Sequence, residues 1–267
     1  MTRPAVLTIA GSDSGGGAGI QADLKTFAAF GVHGASAITA VTAQDSRSVT
    51  GVFTLPDSIV EAQIDAVMSD LEPRVVKLGM LGNARMVALV ARKLEEWKPP
   101  SIVLDPVMIA SSGDPLLEES AVDALRDLLI PLATIVTPNW DEAGALINAW
   151  PRGLQDIERI AISFQRLGAR SVLIKGGHLD GDPVVDTLYT EGRFVEFRHP
   201  RIMEAEGHGT GCTLASAIAA GLALGDSIEE SCRRAADFVH EALLERYATG
   251  RSKEVYLNLA PAKPSAR

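Results

Sequence analysis

The chain has 267 residues, 46% hydrophobic and 22% charged, which is ordinary usage for a soluble globular protein and enough for one large α/β domain or two small ones. A net charge of −9 argues against a nucleic-acid surface or an anionic membrane as the main partner. Two cysteines, Cys212 and Cys232, give no disulfide framework, the N-terminal residues lack a signal-peptide layout, and no apolar run nears the roughly 20 residues of a membrane helix, so a cytoplasmic protein is expected.

In chain order, Ala5–Ala10 is a short apolar run that reads as a buried parallel strand. Gly11-Ser12-Asp13-Ser14-Gly15-Gly16-Gly17-Ala18-Gly19 follows, and Ile20–Phe30 reads as a helix. Strand, glycine loop and helix outline both the P-loop and the dinucleotide fingerprint, yet neither fits. Gly19 is followed by Ile20-Gln21 rather than Lys-Ser/Thr, and the next strand, Ala35–Thr42, ends in Ala43-Gln44-Asp45 without the expected acidic residue. The glycines are therefore read as letting a ligand or a lid approach the backbone, the plainer alternative being a flexible connection.

The alternation then continues. A helix from Pro56-Asp57-Ser58 to Ser69, capped by Asp57 or Ser58, precedes the strand Val75–Leu78 and a helix from Asn83 to Trp97. Ile102–Asp105, a helix over Glu118–Leu129, Ile135–Thr137, and helices over Trp140–Ile147 and Leu154–Leu167 come next. After the strand Ser171–Lys175, Val184–Tyr189 and Phe194–Arg198 form an antiparallel hairpin. Helices from Cys212 and from Ser227 close the chain, and residues 261–267 are expected to fray. Repeated strand–helix units predict one domain over residues 1–267, with a mostly parallel sheet covered on both faces.

The strand C-terminal ends would then gather the chemistry on one edge. Asp105 ends one strand and Glu142 lies just past the next, so two carboxylates with Asn139 can hold Mg²⁺ largely through water. Each also has a plainer reading, as a turn residue before Pro106 and as a first-turn helix acid. Lys175 precedes Gly176-Gly177-His178 and can reach a phosphate, whereas His178 reads as a solvated loop residue. Asp13, Asp23 and Gln44 crowd the first two strand ends. Glu206-Gly207-His208-Gly209-Thr210-Gly211-Cys212-Thr213 opens onto small apolar residues, either as an anion site at a helix N-terminus or as a tight turn with a core cysteine.

Taken together these motifs resemble the ribokinase-like small-molecule kinases, and more closely the bacterial thiamine-pathway kinases of 4-amino-5-hydroxymethyl-2-methylpyrimidine and its monophosphate. The resemblance is carried in order by Ala10–Asp23, Thr39–Gln44, Lys77-Leu78-Gly79-Met80-Leu81, Leu104-Asp105-Pro106-Val107-Met108, Ser112–Leu117, Thr137-Pro138-Asn139 with Glu142, Lys175–His178 and His208–Thr213. It implies a three-layer α/β/α sandwich with a small antiparallel hairpin, a homodimer, and ATP with Mg²⁺ as cofactor; a monovalent cation is left open. It further implies that Gly209, Thr210, Gly211 and Cys212 form an anion hole for the transferring phosphoryl, with Cys212 as base. Gln44 would read the pyrimidine amine and ring nitrogen, as Gln reads adenine, with Gly11, Asp23, Met80 and Val107 around the ring. Asp105 and Glu142 would serve Mg²⁺, and Lys175, Asn139 and Thr213 the nucleotide.

The chain departs from this pattern at Asp45-Ser46, where relatives often have Asn-Thr, and at Ser111, where they often carry Lys. Related pyridoxal kinases with a lid cysteine would have it near Ala110, where this chain has none, so pyridoxal phosphorylation is the second expectation and a non-catalytic nucleotide-binding regulator the third.

Overall fold

Successive strand residues alternate between two apolar layers, and that alternation sets the architecture. A computed structural model describes residues 2–45, 47–110, 113–149, 156–177, 181–202, 209–251 and 255–260. On β1 (Ala5–Asp13), Leu7 and Ile9 enter one layer and Val6 the other. On β4 (Val75–Leu78), Val76 and Leu78 enter the first and Val75 the second; β5 (Ser101–Leu104) and β7 (Ser171–Ile174) repeat the pattern. A strand's side chains point alternately to opposite faces, so a sheet buried on both sides must be apolar on nearly every residue.

The first layer holds α2 (Asp57–Leu71), α3 (Ala84–Trp97), α5 (Trp140–Ile147) and α6 (Ile157–Arg166). The second holds α1 (Gly19–Phe30), α7 (Thr210–Leu224) and α8 (Ile228–Leu244). With β2 (His33–Gln44), β3 (Val49–Thr54), β6 (Ile135–Val136), β8 (Val184–Thr190) and β9 (Arg193–His199), the sheet has nine strands in the order β3-β2-β1-β4-β5-β6-β7-β8-β9. The run from β2 to β7 is parallel, and β3, β8 and β9 add antiparallel edges. This is the expected three-layer sandwich with its hairpin, which turns through Glu191 and Gly192, both at positive φ. Residues β10 (Tyr247–Ala248) and β11 (Val255–Tyr256) pair separately.

Several boundaries differ from expectation. β1 runs past Ala10 to Asp13, because pairing with β2 resumes beyond a bulge between Ala10 and Ser12. Nothing in the pattern announces β3, an edge strand that pairs with β2 and leaves Phe53 exposed. The helix expected over Glu118–Leu129 is α4 (Glu119–Ala124) followed by a π turn over Leu125–Leu129 and a 3₁₀ turn over Ile130–Leu132; Pro131 cannot continue the α ladder. Neither Asp57 nor Ser58 caps α2, whose N-cap is Pro56; Asp57 pairs with Arg85 instead. Asn83 caps α3 at the expected helix start, and Ser227 is the N-cap of α8. The frayed tail at 261–267 and His178 lie outside the described residues, and so do Ser111 and Glu206 to His208. No helix among the described residues is long and apolar enough to cross a membrane.

Helix α7 is buried on almost every side, and its small residues let neighbours come close. A Cβ on Gly221 would lie 2.9 Å from Ser231 Oγ and 3.2 Å from Ser231 Cα of α8. Gly221→Val should therefore push the helices apart and cost about 1–3 kcal/mol of stability in urea unfolding; an unchanged midpoint would show that the α7–α8 contact is not close-packed.

Candidate active site

Six side chains or turns sit where the parallel strands end. Asp13 closes β1, Gln44 closes β2, Gly79-Met80 follow β4, Asp105 follows β5, Asn139 follows β6 and Lys175 follows β7. Sheet topology brings these together although up to 162 residues of chain order, from Asp13 to Lys175, separate them.

The β1–α1 loop is organised by Asp13. Its carboxylate accepts from the amides of Gly15 at 2.8 Å, Gly17 at 3.0 Å and Ala18 at 2.8 Å. Three amides of the kind that cradle a phosphate elsewhere are thus bonded to the loop's own carboxylate, and the loop serves as a wall. At Gly19, with φ +56°, a Cβ would fall 2.5 Å from the Gly11 carbonyl oxygen, so the chain can turn into α1 there only without a side chain.

The N-terminus of α7 lies against this wall. Gly209 precedes the helix at φ +83°, and a Cβ on it would fall 1.9 Å from the Gly17 carbonyl oxygen. The first bond back into α7 is Thr213 N–H to the Gly209 carbonyl at 2.9 Å, so the amides of Thr210, Gly211 and Cys212 precede the helix's internal ladder. With the helix dipole, they form a positive terminus suited to an anion.

Charged groups lie directly beneath. Lys175 Nζ is 3.0 Å from Asp105 Oδ1 and 3.4 Å from Glu142 Oε2, and a Cβ on Gly211 would lie 3.2 Å from the same nitrogen. Burial alone would lower the Lys175 pKa, but Asp105 and Glu142 outweigh it and hold the ammonium charged. Asn139 and Glu142 form a reciprocal capping box on α5, at 2.8 and 2.7 Å, so Glu142 carries the helix-terminus role read as its plainer alternative, and Asn139 is the N-cap. Burial raises the Glu142 pKa, Lys175 opposes this, and the Asp105 charge adds to it. Thr137 Oγ1 donates to Asp105 Oδ1 at 3.3 Å, while Asp105 Oδ2 is buried without a hydrogen-bond partner among the described residues. A buried, unpartnered carboxylate oxygen is the donor that a hard cation seeks.

Beside the wall is a small open pocket of about 70 Å³ whose lining includes Gly11, Gln44, Met80 and Val107. Thr42 Oγ1 lies 3.1 Å from Gln44 Oε1, fixing the amide, and Met80 sulfur occupies the space a Gly11 Cβ would fill. Sequence reasoning missed Thr42, Ile109, Ala110 and Leu116, which also line it. The last three come together because the loop after β5 folds back through an Ile109–Pro115 bridge, a non-local contact with no periodic signal. Ala18 and Gly19 line the pocket as well, so it shares an edge with the α7 terminus.

Two expected residues are placed elsewhere. Asp23 is fully buried under the site, where it bonds Lys77, Thr8 and Ser216, and takes no part in the pocket wall. The reason is its position on the inner face of α1. Thr213 is likewise fully buried, its hydroxyl unpartnered among the described residues, because it lies on the sheet-facing side of α7. Cys212 is half-buried and accepts a hydrogen bond from the Gly19 amide. Burial pushes its thiol up to about 12; Lys77 and the Gly19 amide oppose this, and Asp105 and Asp23 add to it.

A helix N-terminus suited to an anion, set beside a small pocket at the strand ends of an α/β sheet, is what these elements define. The family model for phosphomethylpyrimidine kinase matches residues 13–256, and the chain belongs to that family. The hydroxymethylpyrimidine/phosphomethylpyrimidine kinase of Streptomyces coelicolor is 47% identical over 251 residues, covering 94% of this chain and 92% of that protein. The Bacillus subtilis kinase of the same name is 48% identical, covering 89% and 88%. A further relative, the thiamine biosynthesis bifunctional protein ThiED of Geobacter sulfurreducens, is 47% identical, and the chain spans 51% of its length. Among solved structures, phosphomethylpyrimidine kinase from Clostridium difficile superposes with a TM-score of 0.81 at 42% identity, covering 90% of this chain and all of that one. Staphylococcus aureus pyridoxal kinase, in complex with AMP-PCP and pyridoxal, gives 0.90 at 32% identity, covering 99% and 96%.

Gly209→Ala would set a methyl against the Gly17 carbonyl in a backbone conformation that disfavours it. Phosphoryl transfer should fall at least about tenfold, as expected when an oxyanion donor is displaced; a wild-type kcat would mean that the α7 terminus is not held by this contact. For Cys212, a thiol pushed up to about 12 should react with iodoacetamide faster with rising pH throughout the range from 7 to 10. A plateau below pH 8 would show a thiolate in the resting chain.

Proposed function

We propose that this chain transfers the γ-phosphoryl group of ATP to the hydroxyl of 4-amino-5-hydroxymethyl-2-methylpyrimidine, and then a second to the resulting monophosphate. The observation that carries this reading is the shared Ala18–Gly19 edge: it sets the Gln44 amide and the Met80 and Val107 faces on one side and the α7 terminus on the other. The names of the Streptomyces and Bacillus relatives support the substrate pair.

In this reading Gln44 offers a donor and an acceptor to the pyrimidine amine and its neighbouring ring nitrogen, and Gly11 lets the Met80 sulfur pack against the backbone beside the ring. The amides of Thr210, Gly211 and Cys212 hold the transferring phosphoryl, and Lys175 contributes its charge to the phosphate chain. The residues present fit Mg²⁺: Asp105, with its unpartnered oxygen, and Glu142 would hold it through water, with Asn139 nearby. When bound, the ion supplies charge neutralisation on the phosphates. Cys212 accepts the substrate's proton. Because burial leaves it protonated at neutral pH, the base form grows as pH rises, and kcat should climb through the alkaline range.

A second reading, pyridoxal phosphorylation, is favoured by the fit to the Staphylococcus aureus kinase. Assaying ATP consumption with the pyrimidine alcohol, its monophosphate and pyridoxal in parallel decides between them. The pyrimidine compounds are expected to give the higher kcat/KM, and a higher value for pyridoxal would reverse the assignment. Cys212→Ala should lower kcat by about 10²–10⁴-fold, and a near-wild-type rate would remove it as base. Gln44→Leu should raise the pyrimidine KM and leave that for ATP unchanged.

A homodimer belongs to this reading too. Val41 and Phe53 stand opposite each other on β2 and β3, 46% and 68% exposed, an apolar pair at the sheet's edge that a second copy would cover. Phe53→Glu should convert a sedimenting dimer to monomer; a monomeric parent protein would refute the assembly. The two unpaired thiols suit a reducing cytoplasm.

A further inference from the structure

Lys77 has no part in the phosphate site or the pocket described above, yet it is among the largest fully buried side chains. Strand alternation fixes its direction. Between Val76 and Leu78, which face the α2–α6 layer, Lys77 points to the opposite layer of α1 and α7. Thr8 is its register partner on β1 and faces the same way. From α1, Asp23 meets the ammonium at 2.9 and 3.0 Å. Thr8 Oγ1 donates to Asp23 Oδ2 at 2.6 Å, and Ser216 Oγ donates to Asp23 Oδ1 at 2.7 Å. Gly79 keeps space open for the amine, since a Cβ there would lie 2.9 Å from Lys77 Nζ.

This network spans β1, β4, α1 and α7, and its α7 member is four residues after Cys212. Residues four apart share one face of a helix, so the network lies one turn below the thiol. A buried ion pair is a weak source of stability, because desolvation offsets the attraction and apolar replacements often do as well. Three hydrogen-bonding partners and a glycine-made space for one ammonium point to another use of the charge.

We propose that Lys77 is a positioning residue for the reaction: held by Asp23, it supplies the positive field that favours the Cys212 thiolate, and Asp23 sets how much of that field reaches the sulfur. The groups bearing on Cys212 are Lys77 from β4, Asp23 from α1, Asp105 after β5, Lys175 after β7 and the Gly19 amide. Lys175 is neutralised by Asp105 and Glu142, which leaves the Lys77–Asp23 pair as the adjustable element. Asp23 also carries an opposing influence on the thiol, so the two members of the pair act with opposite sign. The catalytic consequence rests on Cys212 being the proton acceptor, but the field on the sulfur can be measured without turnover.

The test is the pH dependence of Cys212 alkylation by iodoacetamide, read by mass spectrometry so that the fully buried Cys232 is counted separately. Asp23→Asn keeps the hydrogen-bond acceptor and releases the Lys77 field; the double variant Asp23→Asn/Lys77→Gln removes both charges and leaves no unpaired ion, so it is the safer to fold. Thermal melts establish that each is native. At a fixed pH below the midpoint, alkylation of Asp23→Asn should be at least about tenfold faster than that of the double variant, one unit in midpoint, with the parent chain between them. Equal rates in the two variants, or the reverse order, would overturn the proposal. Should Asp23→Asn fail to fold, the parent is compared with Lys77→Arg and with the double variant. Retention of the parent profile by Arg and its loss in the double variant supports the proposal, and the same profile in all three refutes it. If Cys212→Ala keeps its turnover while these shifts appear, the field is real and the base assignment is what fails.

Discussion

The backbone contact between the β1–α1 loop and the start of α7 is the constraint on which the site depends. Gly209 can approach the Gly17 carbonyl only because it carries no side chain, and the approach lays the unladdered amides of α7 along the rim of the pocket. Asp13 makes the contact firm by bonding three loop amides, which converts a glycine-rich segment from a mobile flap into a fixed wall. Ring recognition and phosphate handling are then adjacent as a consequence of packing, and no hinge is needed to bring them together.

Beneath that contact the layer structure sorts the charges. Lys175, Asp105 and Glu142 lie at strand and helix ends, where carboxylates and ammonium reach the edge of the sheet. Lys77 and Asp23 lie deeper, between the sheet and the α1–α7 layer, sealed from solvent. The two sets differ in kind. The outer one has an unpartnered carboxylate oxygen and can exchange partners with an arriving ligand, while every charge of the inner one is already matched. Polar groups held in a low dielectric act strongly on their neighbours, which makes the inner pair a fixed source of field rather than a binding group.

Much of this was legible in the sequence, for reasons that can be traced to particular residues. Short β-branched runs such as Val75–Leu78 and Ser171–Ile174 announced buried strands, Asn83 announced a helix start, and Glu191-Gly192 announced the hairpin turn. Gathering of Gln44, Asp105 and Lys175 followed from parallel topology, whereas Met80 came from the family resemblance. What escaped was non-local. β3 is a strand only because β2 offers it an edge, and Ile109, Ala110 and Leu116 line the pocket because one loop folds back on itself. Asp23 shows the opposite error: its type and position suited a ligand, and only the inward face of α1 assigns it to Lys77.

Asp13's hold on the loop amides has an electrical consequence for the whole cleft. Because those donors are already spent on a carboxylate of the same chain, the amides left unladdered are the ones at the α7 end. The cleft therefore differs from end to end: apolar side chains at Met80 and Val107, the amides of a helix N-terminus at Gly211. A molecule with an uncharged ring and a charged tail can lie in it only one way round, so the site chooses a substrate's heading as well as its identity.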